Sequence, residues 1–281
     1  MKNVCAIVVT YNRQASLEKC IQAIRSQSYP TDILVVDNAS TDGTPKYIKE
    51  MYPEISLIQL DENLGGAGGF SAGVKYARDH LSADWYVLLD DDAFMHHDCV
   101  LNMVSYMNDV NYAHSVLISR LIDDASYFEA ERGAMPVDKG TFVGFFISSE
   151  MVGNIGEPKG DYFIYWDDAE YSYRAKNASY GIYRVGESII EHKDWSGRGQ
   201  LNIRYGPVKF NYTPLAGWRT YYLIRNRFLC DSDSGHSMWK AGLSALKYLL
   251  KTMLVKPSNT VIVLKAMLHG VTGRRGKLIS P

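Results

Sequence analysis

No stretch of about 18 apolar residues occurs in this chain of 281 residues, so no helix is expected to span a bilayer. Cysteine is scarce: Cys5, Cys20, Cys99 and Cys230 are the full set, and none stand in CxxC spacing. A chain this long does not need a disulfide scaffold, so the four read as reduced thiols of a cytoplasmic protein. Internal repeats and low-complexity segments are absent. The opening run Val4-Cys5-Ala6-Ile7-Val8-Val9 is too short for the apolar region of a signal peptide and reads as a buried first strand. Acids are nearly missing from one end. Residues 215–281 hold 11 Lys and Arg against Asp231 and Asp233, about +9, which leaves about −10 for residues 1–214 given the net charge of −1. A basic, mainly helical tail on an acidic body points to an anionic partner for the tail; nucleic acid is not an expected partner of the chain.

What is present is ordinary for a folded protein: 46% hydrophobic and 22% charged residues exclude a disordered chain. Residues 1–100 alternate short apolar runs with helix-like segments. Val4–Val9, Ile33–Val36, Ile55–Leu60 and Trp85–Leu89 read as strands buried on both faces. Ser16–Ser28, Pro45–Met51 and Phe70–His80 read as helices, with Ser16 as the expected N-cap of the first. This alternation predicts βαβ units and a mostly parallel sheet, in which ligands gather at the carboxyl ends of the strands. Thr10-Tyr11-Asn12-Arg13, Asp37-Asn38 and Asp90-Asp91-Asp92 each follow a strand directly, so three polar clusters converge on one edge. Residues 110–215 read as mixed α/β. Beyond Leu215 the pattern is helical, with Trp239, Leu243, Leu246, Leu250 and Met253 at three- and four-residue steps and Lys240, Lys247 and Lys251 on another face. Pro257 ends that helix, and Ser258 or Asn259 could cap another running to about Gly270.

Several of these residues suggest chemistry. Asp90, Asp91 and Asp92 repel one another at a strand end, a conflict that a divalent cation would resolve; the plainer reading is a solvated acidic turn. Asp37 is placed to accept hydrogen bonds from a nucleotide, while Ser40, Thr41 and Asp42 fit a turn and helix cap. Asn63-Leu64-Gly65-Gly66-Ala67-Gly68-Gly69-Phe70 would let the backbone approach a ligand closely, or is simply a flexible turn. In Trp166-Asp167-Asp168-Ala169-Glu170-Tyr171, helical spacing puts Asp167, Glu170 and Arg174 on one face and leaves Asp168 free to act as a base. His192 is either a structural histidine or the completion of an octahedral metal site.

With these residues in view, the chain resembles inverting glycosyltransferases of the large GT-A, family 2 group. The resemblance covers roughly residues 4–230. It rests on Thr10–Arg13, on Val35-Val36-Asp37-Asn38-Ala39-Ser40-Thr41-Asp42-Gly43-Thr44, on the aspartate run and on the later acid pair. Within the group the glycine segment and the Trp166–Tyr171 block are most similar to galactofuranosyltransferases. The polymerising mycobacterial-type members are much longer, so the resemblance does not extend to processive polymerisation. It implies a Rossmann-like GT-A domain over residues 1–214 and a C-terminal helical extension over 215–281 that meets a membrane surface or a second copy. It implies Mn²⁺ or Mg²⁺ held by Asp90, Asp92 and His192, and nucleotide or donor contacts at Thr10, Arg13, Asp37, Asn63 and Asp91. Trp166 and Asp167 would bind the acceptor and Asp168 would be the catalytic base. The implied partners are a UDP-sugar donor, UDP-galactofuranose first among them, and a glycan or lipid-linked glycan acceptor at the inner face of the cell membrane; a homo-oligomer is compatible with this. The rival readings are a rhamnosyltransferase using dTDP-rhamnose, a metal-dependent nucleotidyltransferase and a non-catalytic glycan-binding module. A nucleotidyltransferase should bring a basic triphosphate loop near the N-terminus, where only Arg13 is available.

Overall fold

The computed structural model describes residues 1–122, 131–192, 201–205 and 208–280. Its strands are β1 (Val4–Thr10), β2 (Thr31–Asp37), β3 (Ser56–Gln59), β4 (Trp85–Asp90), β5 (Phe94–Met95), β6 (Ser115–Ile122), β7 (Ala134–Pro136), β8 (Phe145–Ser148), β9 (Gly181–Glu191), β10 (Leu201–Tyr205) and β11 (Val208–Tyr212). The helices are α1 (Gln14–Arg25), α2 (Thr44–Met51), α3 (Gly65–His80), α4 (Cys99–Met107), α5 (Ser149–Ile155), α6 (Asp167–Asn177), α7 (Gly217–Asp233), α8 (Trp239–Val255) and α9 (Thr260–Val271). Among the described residues, the main sheet runs β3-β2-β1-β4-β8-β6-β9-β5, with β7 on β9. Strands β3, β2, β1 and β4 are parallel, β8 pairs antiparallel with β4 and β6, and β6 and β9 are parallel again. β10 and β11 form a separate hairpin.

Strands β1, β2 and β4 carry apolar runs because both of their faces are covered. In β1, Val4, Ala6 and Val8 face a core shared with Leu17, Ile21 and Ile24 of α1 and Met103 of α4. The alternate residues Cys5, Ile7 and Val9 face Phe70, Val74 and Ala77 of α3. All four cysteines are buried free thiols. The expected GT-A-type α/β architecture with C-terminal helices is borne out.

Two local expectations are not. Helix α1 begins at Gln14, with Arg13 in the N-cap position and no side-chain cap, so Ser16 lies inside the helix. The glycine segment is not a loop but the opening turns of α3. A Cβ at Gly69 would stand 2.5 Å from Val9 Cγ1, and one at Gly65 would overlap the Phe163 carbonyl. The glycines therefore let α3 lie hard against β1 and against residues 160–166.

Helix α7 is tied into the body through that same segment. Arg225, fully buried, donates to the carbonyls of Tyr162 and Gly276, and Trp166 Nε1 donates to Leu223 O at 3.1 Å. Leu229 and Cys230 of α7 share a small core with Ala67, Tyr162 and Ala169. Helices α8 and α9 pack on α7 and on each other.

Candidate active site

Strand register assembles the first wall. Thr10 pairs with Asp37 across β1 and β2, and Val9 with Asp90 across β1 and β4, so three strand ends present polar groups side by side. Thr10 Oγ1 donates to Asp91 Oδ2 at 2.7 Å. Arg13 Nη1 reaches Asp92 Oδ2 at 2.5 Å and Asp91 Oδ1 at 3.3 Å. Asp37 is buried; one carboxylate oxygen accepts from Ser40 N at 3.0 Å, and the other has no hydrogen-bond partner. A buried carboxylate oxygen without a partner is costly on its own and suits a site that receives a ligand's hydroxyl or amide. Asn12, at φ 52°, clasps the two loops: its amide N–H donates to Ser40 Oγ at 2.9 Å and its Oδ1 accepts from Thr41 N at 2.7 Å.

The second wall comes from β9. The Asp90–Asp92 turn leads into β5, and Phe94 of β5 pairs with Glu191 at the end of β9. His192 follows directly, with its backbone N–H on Ile122 O, and its Nε2 lies 3.2 Å from Asp92 Oδ1. Ligand atoms of Asp90, Asp92 and His192 all fall within 4.8 Å of one another. Burial, followed by the charges of Asp92 and Asp91, pushes the Asp90 carboxyl up to about 7. Asp92 goes the other way, to about 2, held down first by its hydrogen bond with His192 and then by Arg13. Burial also raises Asp91, against the pull of Thr10 and Arg13. Three crowded acids with one guanidinium among them leave negative charge uncompensated. Two carboxylates and an imidazole form a donor set that fits Mn²⁺ or Mg²⁺.

The third wall is the start of α6. Phe163, Tyr165 and Trp166 all have positive φ, between 65° and 69°. Asn226 Nδ2 lies within hydrogen-bond distance of the carbonyls of Tyr162, Ile164 and Tyr165, so α7 holds this unusual backbone in place. The acid pair emerges from it. Burial raises Asp167 well above the ordinary carboxylate range, and the charges of Asp168 and Asp90 add to that rise, which brings the acid pair and the aspartate cluster into one electrostatic neighbourhood. Burial pushes Asp168 up to about 6, opposed by the Ala169 N–H and by Lys139. Asp168 lines a cavity of about 470 Å³ together with Leu121, Lys139, Thr141 and Arg184. Glu170 turns away and pairs with Arg174 and Lys159.

The remaining expected residues sit at the margins. Trp166 carries Lys139 and Arg227 over its ring, at 4.6 Å and 4.5 Å from the centroid, and so links the cavity to α7. Asn63 Oδ1 accepts from Gly65 N at 2.8 Å, and its carbonyl accepts from Lys277 Nζ at 2.9 Å. Asn63 is joined to the Asp37 strand end through Asn38, whose Oδ1 accepts from Leu64 N and whose Nδ2 donates to Gly65 O. Sequence reasoning missed Asn12, Asn38, Lys139, Arg225 and Asn226. Asn12 and Asn38 lay within motifs already singled out. Asn226 binds carbonyls 61 to 64 residues away, a pairing no local pattern marks.

Parallel strands whose carboxyl ends carry an aspartate cluster and a partnerless buried Asp37 oxygen, with an acid pair opening α6, have the arrangement of a nucleotide-sugar transferase fold of GT-A type. The chain belongs to glycosyl transferase family 2, which matches residues 5–168. Glycosyltransferase AglE of Haloferax volcanii is 23% identical over 196 residues, covering 64% of this chain and 63% of AglE. Galactofuranosyltransferase GlfT1 of Mycolicibacterium smegmatis is 38% identical over 90 residues, covering 32% of this chain and 30% of GlfT1. The chain thus spans less than two thirds of the length of either relative. The mannosyltransferase PcManGT from Pyrobaculum calidifontis, solved with GDP-Man and Mn²⁺, superposes with a TM-score of 0.59 over 97% of this chain and 88% of that one. At 16% identity this is a likeness of fold.

Proposed function

We propose that the chain transfers galactofuranose, with inversion, from UDP-galactofuranose to a hydroxyl of a lipid-linked glycan. The observation that carries this reading is the meeting of two acidic groups of different character. Asp90, Asp92 and His192 present ligand atoms within 4.8 Å, and the Asp167–Asp168 pair stands in the same electrostatic neighbourhood beside a cavity. The likeness to GlfT1 supports the choice of sugar.

Asp90, Asp92 and His192 would hold Mn²⁺ or Mg²⁺, which supplies positive charge against a departing diphosphate. The rest is the work of the chain. Asp37 accepts a hydrogen bond from the nucleotide through its partnerless oxygen, and Asn38 shapes the neighbouring backbone. Thr10 and Arg13 fix Asp91 so that its carboxylate faces the donor. Asp168 accepts the hydrogen of the acceptor hydroxyl as that oxygen attacks the anomeric carbon. Even raised to about 6, a carboxylate cannot deprotonate a free alcohol beforehand, so the proton moves late, as the new bond forms. Asp167, whose carboxyl burial pushes well above the ordinary range, stands beside it as the acid that meets the acceptor.

The test is direct. The protein is warmed with Mn²⁺ and either UDP or dTDP, and its melting temperature is compared. It is then incubated with UDP-galactofuranose and lipid-linked acceptors, and the products are weighed. The reading expects stabilisation by UDP over dTDP and a mass gain of one hexose. Preferential stabilisation by dTDP would move the assignment to a deoxyhexose donor.

A further inference from the structure

Helix α8 is mounted the wrong way round for an ordinary surface helix. Its apolar row, Trp239, Leu243, Leu246, Leu250, Met253 and Leu254, should face the core, yet every member is exposed, Trp239 at 71%. The side that meets the protein is made of small residues: Ala241, Ala245 and Thr252 are the buried positions. At about 100° per residue the two sets fall on opposite sides of the helix. Helix α9 repeats the arrangement. Val261, Leu264, Leu268 and Val271 are exposed, Val261 at 76%, while Val263, Ala266 and Gly270 are buried. Two adjoining helices therefore turn ten large apolar side chains outward, more than a solvated surface ordinarily gathers.

The charge around these rows names the occupant. No acidic residue follows Asp233, whereas Lys240, Lys247 and Lys265 stand exposed on the same two helices. A second copy docked face to face would bring lysine against lysine. A bilayer with anionic headgroups accepts both the apolar rows and the ammonium groups. No described helix is long and apolar enough to cross a membrane, which leaves α8 and α9 lying in the interface.

We infer that the α8–α9 face is an interfacial anchor that seats the protein on an anionic membrane surface. This stands on the surface alone and does not depend on the sugar assigned to the site.

The full chain is tested by flotation with vesicles of phosphatidylcholine alone and of phosphatidylcholine mixed with phosphatidylglycerol. The wild type is expected to float with the anionic vesicles and to stay down with the neutral ones. The exposed pair Trp239→Glu and Leu250→Glu should abolish flotation without moving the melting temperature. Lys240→Glu with Lys247→Glu should weaken it about tenfold or more. As a readout that needs no variant, brominated lipid in the anionic vesicles should quench the wild-type tryptophan fluorescence. The inference is overturned if the wild type ignores both vesicle types, if it binds both equally, or if Leu250→Glu instead splits a stable dimer in sedimentation velocity.

Discussion

Asn226 of α7 donates a hydrogen bond to the carbonyl of Tyr165 at 3.0 Å, two residues before the acid pair opens α6. The same amide reaches the carbonyls of Tyr162 and Ile164. Backbone at positive φ in three aromatic residues is unfavourable unless something outside it over-determines the shape. Asn226 and the buried Arg225 do that. Asn226→Leu is therefore expected to cost about 1–3 kcal/mol in urea unfolding, from carbonyls left unpaired. It should also lower kcat for sugar transfer, because Asp168 loses its fixed approach. Donor KM should change far less, since the proposed donor contacts follow β1, β2 and β4. Equal losses in both constants would show that Asn226 supports the whole fold rather than this loop.

The pH profile follows from Asp168. Burial raises its carboxyl to about 6, and in the proposed mechanism this group must be ionised to accept a proton. The expected kcat, with donor and cation saturating, is level above that value and falls about tenfold per unit below it. The linkage to stability has the opposite sense. A carboxyl whose folded pKa lies above the unfolded value, about 3.9, contributes stability that is fully present below pH about 4 and is lost as pH rises through about 6. Asp168→Asn should accordingly be more stable than the wild type at neutral pH, with the difference shrinking in acid. Urea unfolding at several pH values measures this.

Cation binding is a third consequence. With Asp90, Asp92 and His192 converging, Mn²⁺ should raise the melting temperature of the wild type, and a chelator should reverse the rise. A cation present at 100 times its dissociation constant stabilises by about 2.7 kcal/mol. Asp92→Asn and His192→Ala should each lose most of that response. An unchanged response in both variants would place any cation elsewhere.

Much of this was legible in the sequence, for identifiable reasons. Strands buried on both faces must be apolar throughout, so β1, β2 and β4 stand out, and the polar groups that follow them fall at one edge by topology alone. Thr10, Asp37 and Asp90 are neighbours because of strand register. The start of α3 was obscured because glycine is a poor helix former; what makes it necessary there is the closeness of Val9 and the Phe163 carbonyl, which no periodicity reveals. The α8 row was visible as a pattern, but which side of the helix meets the body depended on the small Ala241 and Ala245. Arg225 and Asn226 were hidden for another reason: they serve distant backbone carbonyls, which leave no trace in side-chain pattern.

The central claim is that Asp168 draws the proton from the acceptor while the nucleotide is held independently of it. The decisive measurement is kcat for purified Asp168→Asn beside its affinity for UDP with Mn²⁺. A fall in turnover of about 10²–10⁴-fold with UDP affinity unchanged is the expected result. Sugar transfer at the wild-type rate would contradict it.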